Sequence, residues 1–243
     1  MPLPHIDPAA RAELAPSGML RAAINFGNPV LARRDASGPG GISAELAREL
    51  ARRLGVPLVF VTYDSAGKVV QGLEADPAWD VCFLAIDPLR AETIAFTAPY
   101  VVIEGVYMTS ATSPLATNAD VDRAGVRVGA VVGSAYDLFL TRALKHATIV
   151  RAAEIGAVMQ LWDSGALDAV GGVKPQLAAL SAQRPGTHLL PERFMAINQA
   201  MGLPAGREAG ARWLRAFVDE MKASGFVAEA FARNRIEGAA LAD

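Results

Sequence analysis

The chain has 243 residues, of which 52% are apolar and 20% charged, and its formal net charge is -2. That length and apolar share support one or two domains with a buried core. The balance of charge gives no basic excess for nucleic acid or an anionic membrane, and no apolar run reaches the roughly 18 residues that span a bilayer.

Cys82 is the single cysteine, so no intrachain disulfide can form, and its apolar neighbours read as a buried strand. Residues 1–18 carry Asp7, Arg11 and Glu13 among Pro and Ala. They hold no uninterrupted apolar stretch of signal-peptide length. The chain as written is therefore expected to be cytosolic, unless a leader has been removed.

In chain order, residues 20–26 read as a strand that ends at the turn Gly27, Asn28 and Pro29, and 33–41 as a loop of charges, Gly and Pro. Residues 44–54 follow as a helix, with Leu46, Leu50 and Leu54 four apart on one face and Gly55 as its stop. A β-branched run at 57–62 is a second strand, 68–75 a helix, and the apolar run 81–86 a third strand suited to cover on both faces. The β-α-β-α-β order predicts an open α/β sheet.

Residues 100–109 read as an extended crossing segment, and 110–122 as turn-rich. A second α/β set follows: strands at 126–132, 147–150 and 166–170, and helices at 134–144, 154–164 and 174–181. Residues 196–203 are extended again and carry the chain back. An amphipathic helix at 207–224 uses Trp213, Phe217, Val218 and Met221, and a short helix at 226–234 follows Gly225. The expected fold is α/β, with two open lobes joined by two crossing segments and a ligand cleft between them. The expected boundaries are 1–108 with 204–243, and 109–203.

Ligands of open α/β sheets bind beyond the carboxyl ends of strands. Three places follow: after Phe26, after Ile86 and after Val132. Beyond the third strand, Asp87 suits an N-cap and Pro88 the first helical position. Arg90 then falls in a first turn, where a cation opposes the helix dipole at a cost of about 0.3–1 kcal/mol. An Arg set against local preference at a strand exit invites a carboxylate-binding reading, because its planar fork matches a carboxylate. A plain surface Arg paired with Glu92 or Asp87 is the alternative. Gly133, Ser134 and Ala135 open a helix directly after a strand, where free backbone N–H groups favour an anion, or where Ser134 simply caps. Phe26 ends the first strand as a pocket wall or a core residue.

The run from Gly129 to Ser134 lacks the Lys and the length of a phosphate loop. His5, His146 and His188 are isolated, and no Cys cluster exists, so no metal site is expected. No Gly-x-Ser-x-Gly elbow appears, and no carboxylate pair stands out for acid–base work. No cofactor is expected.

Residues 41–56, 80–90, 96–100, 126–133, 164–169 and 222–226 together give the chain a resemblance to the family 3 bacterial extracellular solute-binding proteins, the amino-acid-binding type of the type II periplasmic-binding-protein fold. The likeness covers nearly all of the chain after Leu20. It implies two lobes closing on a ligand, a small carboxylate such as an amino acid or a related organic acid. It also implies a membrane component of an ABC transporter as partner, and a periplasmic setting. In its Thr-x-x-Arg motif the Arg holds the ligand carboxylate, and this matches Arg90. The strand-end Ser or Thr that helps it corresponds to Ala85. The Gly-Thr-Thr turn corresponds to Gly133, Ser134 and Ala135, and the wall after the first strand to Asn25, Phe26 and Asn28. The second Asp of Asp-Ala-x-x-x-Asp, which grips the ligand's ammonium, is here Val173. The ligand is then expected to lack an α-ammonium, or to have it held by another acid such as Asp137, because an unpartnered buried ammonium costs several kcal/mol. Hinges are expected near 105–110 and 201–204. Two other readings are a dehydratase-like enzyme of the same fold and a cytosolic ligand sensor that docks another protein.

Overall fold

The computed structural model describes residues 6–73 and 78–242. The chain begins with helix α1 (Pro8–Leu14), whose start is set by the Asp7 carboxylate accepting a bond from the Ala10 amide at 2.7 Å and by Pro8 in the first turn. Strand β1 (Leu20–Asn25) follows. The expected loop after it contains a hairpin, β2 (Arg33–Asp35) paired with β3 (Gly38–Gly40). Helix α2 (Ile42–Leu54) buries Leu46, Leu50 and Leu54, the face its spacing predicts. Gly55 then ends it in the left-handed conformation, with its N–H returned to the last turn.

Strand β4 (Leu58–Tyr63) and helix α3 (Ala66–Gln71) come next, the latter capped by Ser65. The helix expected at 68–75 thus starts two residues earlier, and its positions 74 and 75 lie outside the described residues. Strand β5 (Val81–Ala85), buried along its whole length, leads to the four-residue helix α4 (Pro88–Ala91) and the 17-residue strand β6 (Ile94–Ser110).

After β6 come α5 (Asn118–Val121), β7 (Arg127–Val131), α6 (Ala135–Ala143), β8 (Thr148–Ala152), α7 (Ile155–Asp163), β9 (Ala169–Val173), α8 (Lys174–Ala182) and β10 (Thr187–Leu189). The chain returns through β11 (Met195–Pro204) and ends with α9 (Glu208–Ala223), α10 (Phe226–Arg233) and β12 (Ala239–Leu241).

Two compact units result: Met1–Val102 with Asn198–Asp243, and Ile103–Ile197. The divisions fall after residues 102 and 197, where 108 and 203 were expected. The reason is that β6 and β11 carry the chain across as unbroken strands, so no turn marks the change of unit. The expected hinge positions are held in ladders: Gly105 to Thr109 pair with β9, and Met201 and Gly202 pair with β5.

In the first unit the strand order is β4-β1-β5-β11. Strand β1 is parallel to both β4 and β5, and β11 runs antiparallel to β5, with Ala85 opposite Gln199. Ala23, Val69, Trp79, Cys82, Leu84 and Ile94 form a core on this sheet, and the Trp79 indole N–H is satisfied by the Val69 carbonyl at 2.8 Å. In the second unit the order is β6-β9-β7-β8, with β10 antiparallel to β6. Its core joins Tyr107, Val121, Val128, Leu140 and Ala169.

The strand expected at 166–170 lies three residues later, at β9. Gly171 and Gly172 argue against a strand by propensity. Tertiary packing decides otherwise: a Cβ on Gly172 would meet Leu177 at 3.1 Å, and one on Gly171 would meet Leu140 at 3.0 Å. The glycines allow α6 and α8 to lie close on the strand.

Candidate functional site

Because β1 and β5 are parallel neighbours, their exits leave the first unit's sheet side by side. At the β5 exit the Ile86 amide is tied to the Asn198 carbonyl at 2.9 Å. Asp87 caps α4 as its sequence predicts, its carboxylate accepting from the Leu89 amide at 2.9 Å, with Pro88 at the first position. The burial of this segment is inverted. Asp87 is 3% exposed and Arg90 2%, while Ile86 is 38% and Leu89 56% exposed. Charged side chains are seldom buried without partners, and leaving a Leu or Ile outside forgoes roughly 1.5–3 kcal/mol of burial each.

The Arg90 guanidinium lies inside the unit and donates through Nη1 to the Ala85 carbonyl at 3.0 Å. This contact brings Arg90 and Ala85 together. Desolvation pulls the Arg90 pKa down to about 10, against the opposing charge of Asp87 and the nearby Cys82. Arg90 therefore stays cationic at neutral pH, in a setting where electrostatic interactions are strong. Burial pushes the Cys82 thiol far up, which makes it an inert core residue.

At the β1 exit, the Asn25 side chain accepts from the Gly27 amide at 2.9 Å and Asn28 from the Val30 amide at 3.3 Å. Both side chains shape the turn. Gly27 is required there, because a Cβ would stand 2.5 Å from the Asp64 carbonyl. Phe26 is half-buried, and the Arg34 guanidinium sits 4.0 Å from its ring centroid, itself held by Asp64 at 3.0 Å. One face of the ring is thus taken by a protein cation. The loop reading of residues 33–41 missed Arg34, whose role depends on the hairpin that carries it.

In the second unit, β7 and β9 are parallel neighbours, and their exits present Gly133, Ser134 and Ala135 beside Val173. Ser134 is the N-cap of α6 and accepts from the Asp137 amide at 3.0 Å. The Asp137 carboxylate returns to the Gly133 amide at 2.8 Å through Oδ2, and accepts from Arg151 Nε at 2.8 Å through Oδ1. Each oxygen of Asp137 thus already accepts a bond from the protein itself. The carboxylate also places the protein's own negative charge at the helix start where an anion was expected. Tyr136, in the same turn, has its phenol pushed up to about 12, chiefly by burial. Val173 is buried and opens α8 with no side-chain cap. The next residue, Lys174, pairs with Glu104 at 2.5 Å.

A surface hollow of about 450 Å³ lies between the hairpin and the start of α2, lined by Arg33, Asp35, Ser37, Glu45 and Arg48 among others. It shares no residue with the strand exits, and its charges are engaged locally: Arg33 with Asp35, Glu45 with Arg233, and Arg48 with the Pro39 carbonyl. Among the described residues no group of His, Cys, Asp and Glu is placed to hold a metal ion, and no helix is long and apolar enough to cross a membrane.

The model of the bacterial extracellular solute-binding proteins, family 3, matches residues 20–234, and the chain belongs to that family. Among solved structures it is similar to a mutant of ArgBP from T. maritima, at 21% identity and a TM-score of 0.78, covering 94% of this chain and 100% of that one. It is also similar to a putative binding component of an ABC transporter from Wolinella succinogenes DSM 1740 complexed with lysine, at 22% identity and a TM-score of 0.74, over 89% and 95% of the two chains. A third is an ancestral amino acid-binding protein described as a precursor of cyclohexadienyl dehydratase, at 20% identity and a TM-score of 0.75, over 92% and 97%. No curated protein matches the chain. The shared fold and the family make this a solute-binding protein.

Proposed function

We propose that the solute is a small organic carboxylate held by Arg90, released unchanged, and delivered to the membrane component of an ABC transporter. The observation that carries this reading is the enclosed cation at the β5 exit: a guanidinium 2% exposed, with Nη1 on the Ala85 carbonyl. Binding exchanges that neutral acceptor for a charged one, and charge-assisted bonds are about twice as strong as neutral ones. Gly133, Ser134 and Ala135, with Asn25, Phe26 and Asn28, form the remaining proposed contacts.

The neighbours include proteins described with bound arginine and lysine. This chain differs where an ammonium would be gripped. Val173 carries no charge, and Asp137 is spent on Arg151 and the Gly133 amide. The ligand is accordingly a carboxylate without an α-ammonium.

Isothermal titration against carboxylates and their amides tests this. The carboxylates bind and the matched amides do not. Arg90→Ala weakens binding by about 1.5–3 kcal/mol, roughly 10- to 150-fold. Arg90→Lys, which keeps the charge but loses the fork, recovers part of it. Unchanged binding in a folded Arg90→Ala protein overturns the assignment. Incubation with cyclic carboxylates returns them intact; turnover would instead favour the dehydratase-like reading, which the ancestral neighbour brings to mind.

A further inference from the structure

Gln199 lies on β11 in the first unit, directly opposite Ala85 on β5, and is 5% exposed. Ten polar or charged side chains are buried among the described residues. Nine of them hold a hydrogen bond within the protein, and Gln199 is the one that holds none. Thr97, beside the same strand, shows the ordinary case: its hydroxyl donates to the Ala98 carbonyl at 2.8 Å and accepts from the Met201 amide at 3.2 Å. A carboxamide carries two donors and an acceptor. Enclosing one without partners costs stability, so a fold that keeps it there has a use for it. Its position indicates the use. Directly opposed residues of an antiparallel pair place their side chains on one face, with Cβ atoms about 4.5–5.5 Å apart. Ala85 adds only a methyl group to that face, and its carbonyl accepts from Arg90 Nη1 at 3.0 Å. The guanidinium and the carboxamide thus both stand against Ala85, the last residue of β5.

We infer that Gln199 is a ligand-contacting residue whose carboxamide pairs with an uncharged hydroxyl or keto oxygen beside the ligand's carboxylate, so that the site prefers 2-hydroxy and 2-oxo acids to unsubstituted ones. This rests on the carboxylate reading of Arg90. With the carboxylate on the guanidinium, a substituent on the adjoining carbon stays at the end of β5 whatever the shape of the rest of the ligand. A hydroxyl there donates to the carboxamide oxygen or accepts from its NH2, and a keto oxygen accepts from the NH2. An acid bare at that carbon covers the carboxamide and leaves it unpaired, which is how a site built around a hydrogen bond rejects an analogue that lacks one. Gln199 brings no charge to offset an ammonium at the same place.

The experiment uses two matched series as probes, propanoate with lactate and pyruvate, and hexanoate with 2-hydroxyhexanoate and 2-oxohexanoate. The parent protein, Gln199→Met and Arg90→Ala are compared by calorimetry and thermal melting. Met keeps the length and apolar stem of the side chain and removes the amide. In the parent, the hydroxy or oxo acid of each series binds about fivefold or more tighter than the unsubstituted acid. In Gln199→Met that ratio falls to near one. Without ligand, Gln199→Met melts about 2–4 °C above the parent, because an unpaired amide has left the interior. A lower melting temperature would show that the amide supports the fold, and it overturns the inference. If the unsubstituted acids bind as well as the others, or Gln199→Met keeps the parent's preference, while Arg90→Ala loses every carboxylate, the inference fails and the carboxylate reading stands. If none of the six acids binds the parent, the inference fails. If they bind and none depends on Arg90, both fall together.

Discussion

Each unit opens its sheet with the same clasp. In the first, Asp80 accepts from the Arg21 amide at 2.9 Å and grips its guanidinium with two further bonds at 3.0 and 2.7 Å, while the Asp80 amide returns to the Arg21 carbonyl. In the second, Asp168 holds Arg127 by the corresponding bonds at 2.8, 2.9 and 2.9 Å, and its amide likewise returns. Each acid stands just before the strand that neighbours the one its Arg opens. What differs is the cover. Asp80 is fully buried and takes a second cation, Arg207, at 3.5 Å, whereas the Asp168 side chain is 36% exposed. The cover comes from α1 and the start of α9: Arg207 also donates to the Glu13 carbonyl, and the Glu13 carboxylate accepts from the Gly210 amide. One strand-level device becomes a core element in one unit and a rim contact in the other, because only the first unit lays α1 and the start of α9 over it.

The sharpest way to break that comparison is Asp80→Ala. It strands the Arg21 amide and two partly buried guanidinium groups, and a loss of about 3 kcal/mol is expected in urea unfolding. A loss equal to that of Asp168→Ala would show that burial does not separate the clasps.

Asp87→Asn sharpens the contrast within the first unit, where Asp80 faces its cations directly and Asp87 acts on Arg90 as a nearby opposing charge. Asn keeps the N-cap. About 1–2 kcal/mol of stability should go with the charge, and carboxylate affinity should rise roughly 5- to 30-fold, because Arg90 is no longer offset. Calorimetry with and without hexanoate reads both effects.

Asp168→Ala is the smallest, at roughly a third or less of the Asp80 loss, since solvent screens an exposed pair. Its pH dependence follows from sign. The Arg127 guanidinium, helped by the Arg127 amide, holds the Asp168 carboxyl below its usual range, against the effect of burial. A carboxyl lowered in the folded state contributes stability above its unfolded pKa of about 3.9 and loses it as pH falls through the lowered value. The melting-temperature gap between parent and Asp168→Asn should therefore be open at neutral pH and close as the pH falls below the ordinary carboxyl range.

Much of this was legible in the residues. The helix over α2 followed from Leu46, Leu50 and Leu54, the cap of α4 from Asp87 and Pro88, and the start of α6 from Ser134. Each signal lies within a turn or two of chain. The β2–β3 hairpin was missed, since Gly38, Pro39 and Gly40 carry no strand signal, and so was Arg34 over Phe26. The bond from Arg151 on β8 to Asp137 in α6 was not legible either, because it joins two elements that only packing brings together.

The sequence by itself determined the alternation of strands and helices, the caps that bound them and the position of Arg90 just beyond a strand, because periodicity and capping act between near neighbours. Only the tertiary structure decided which charges are enclosed. The clasps join residues 59 and 41 apart, and the inward turn of Asp87 and Arg90 depends on the β5–β11 pairing that fixes Ile86 to Asn198. Burial is a property of what the folded chain lays over a residue, and no local pattern of side chains encodes it.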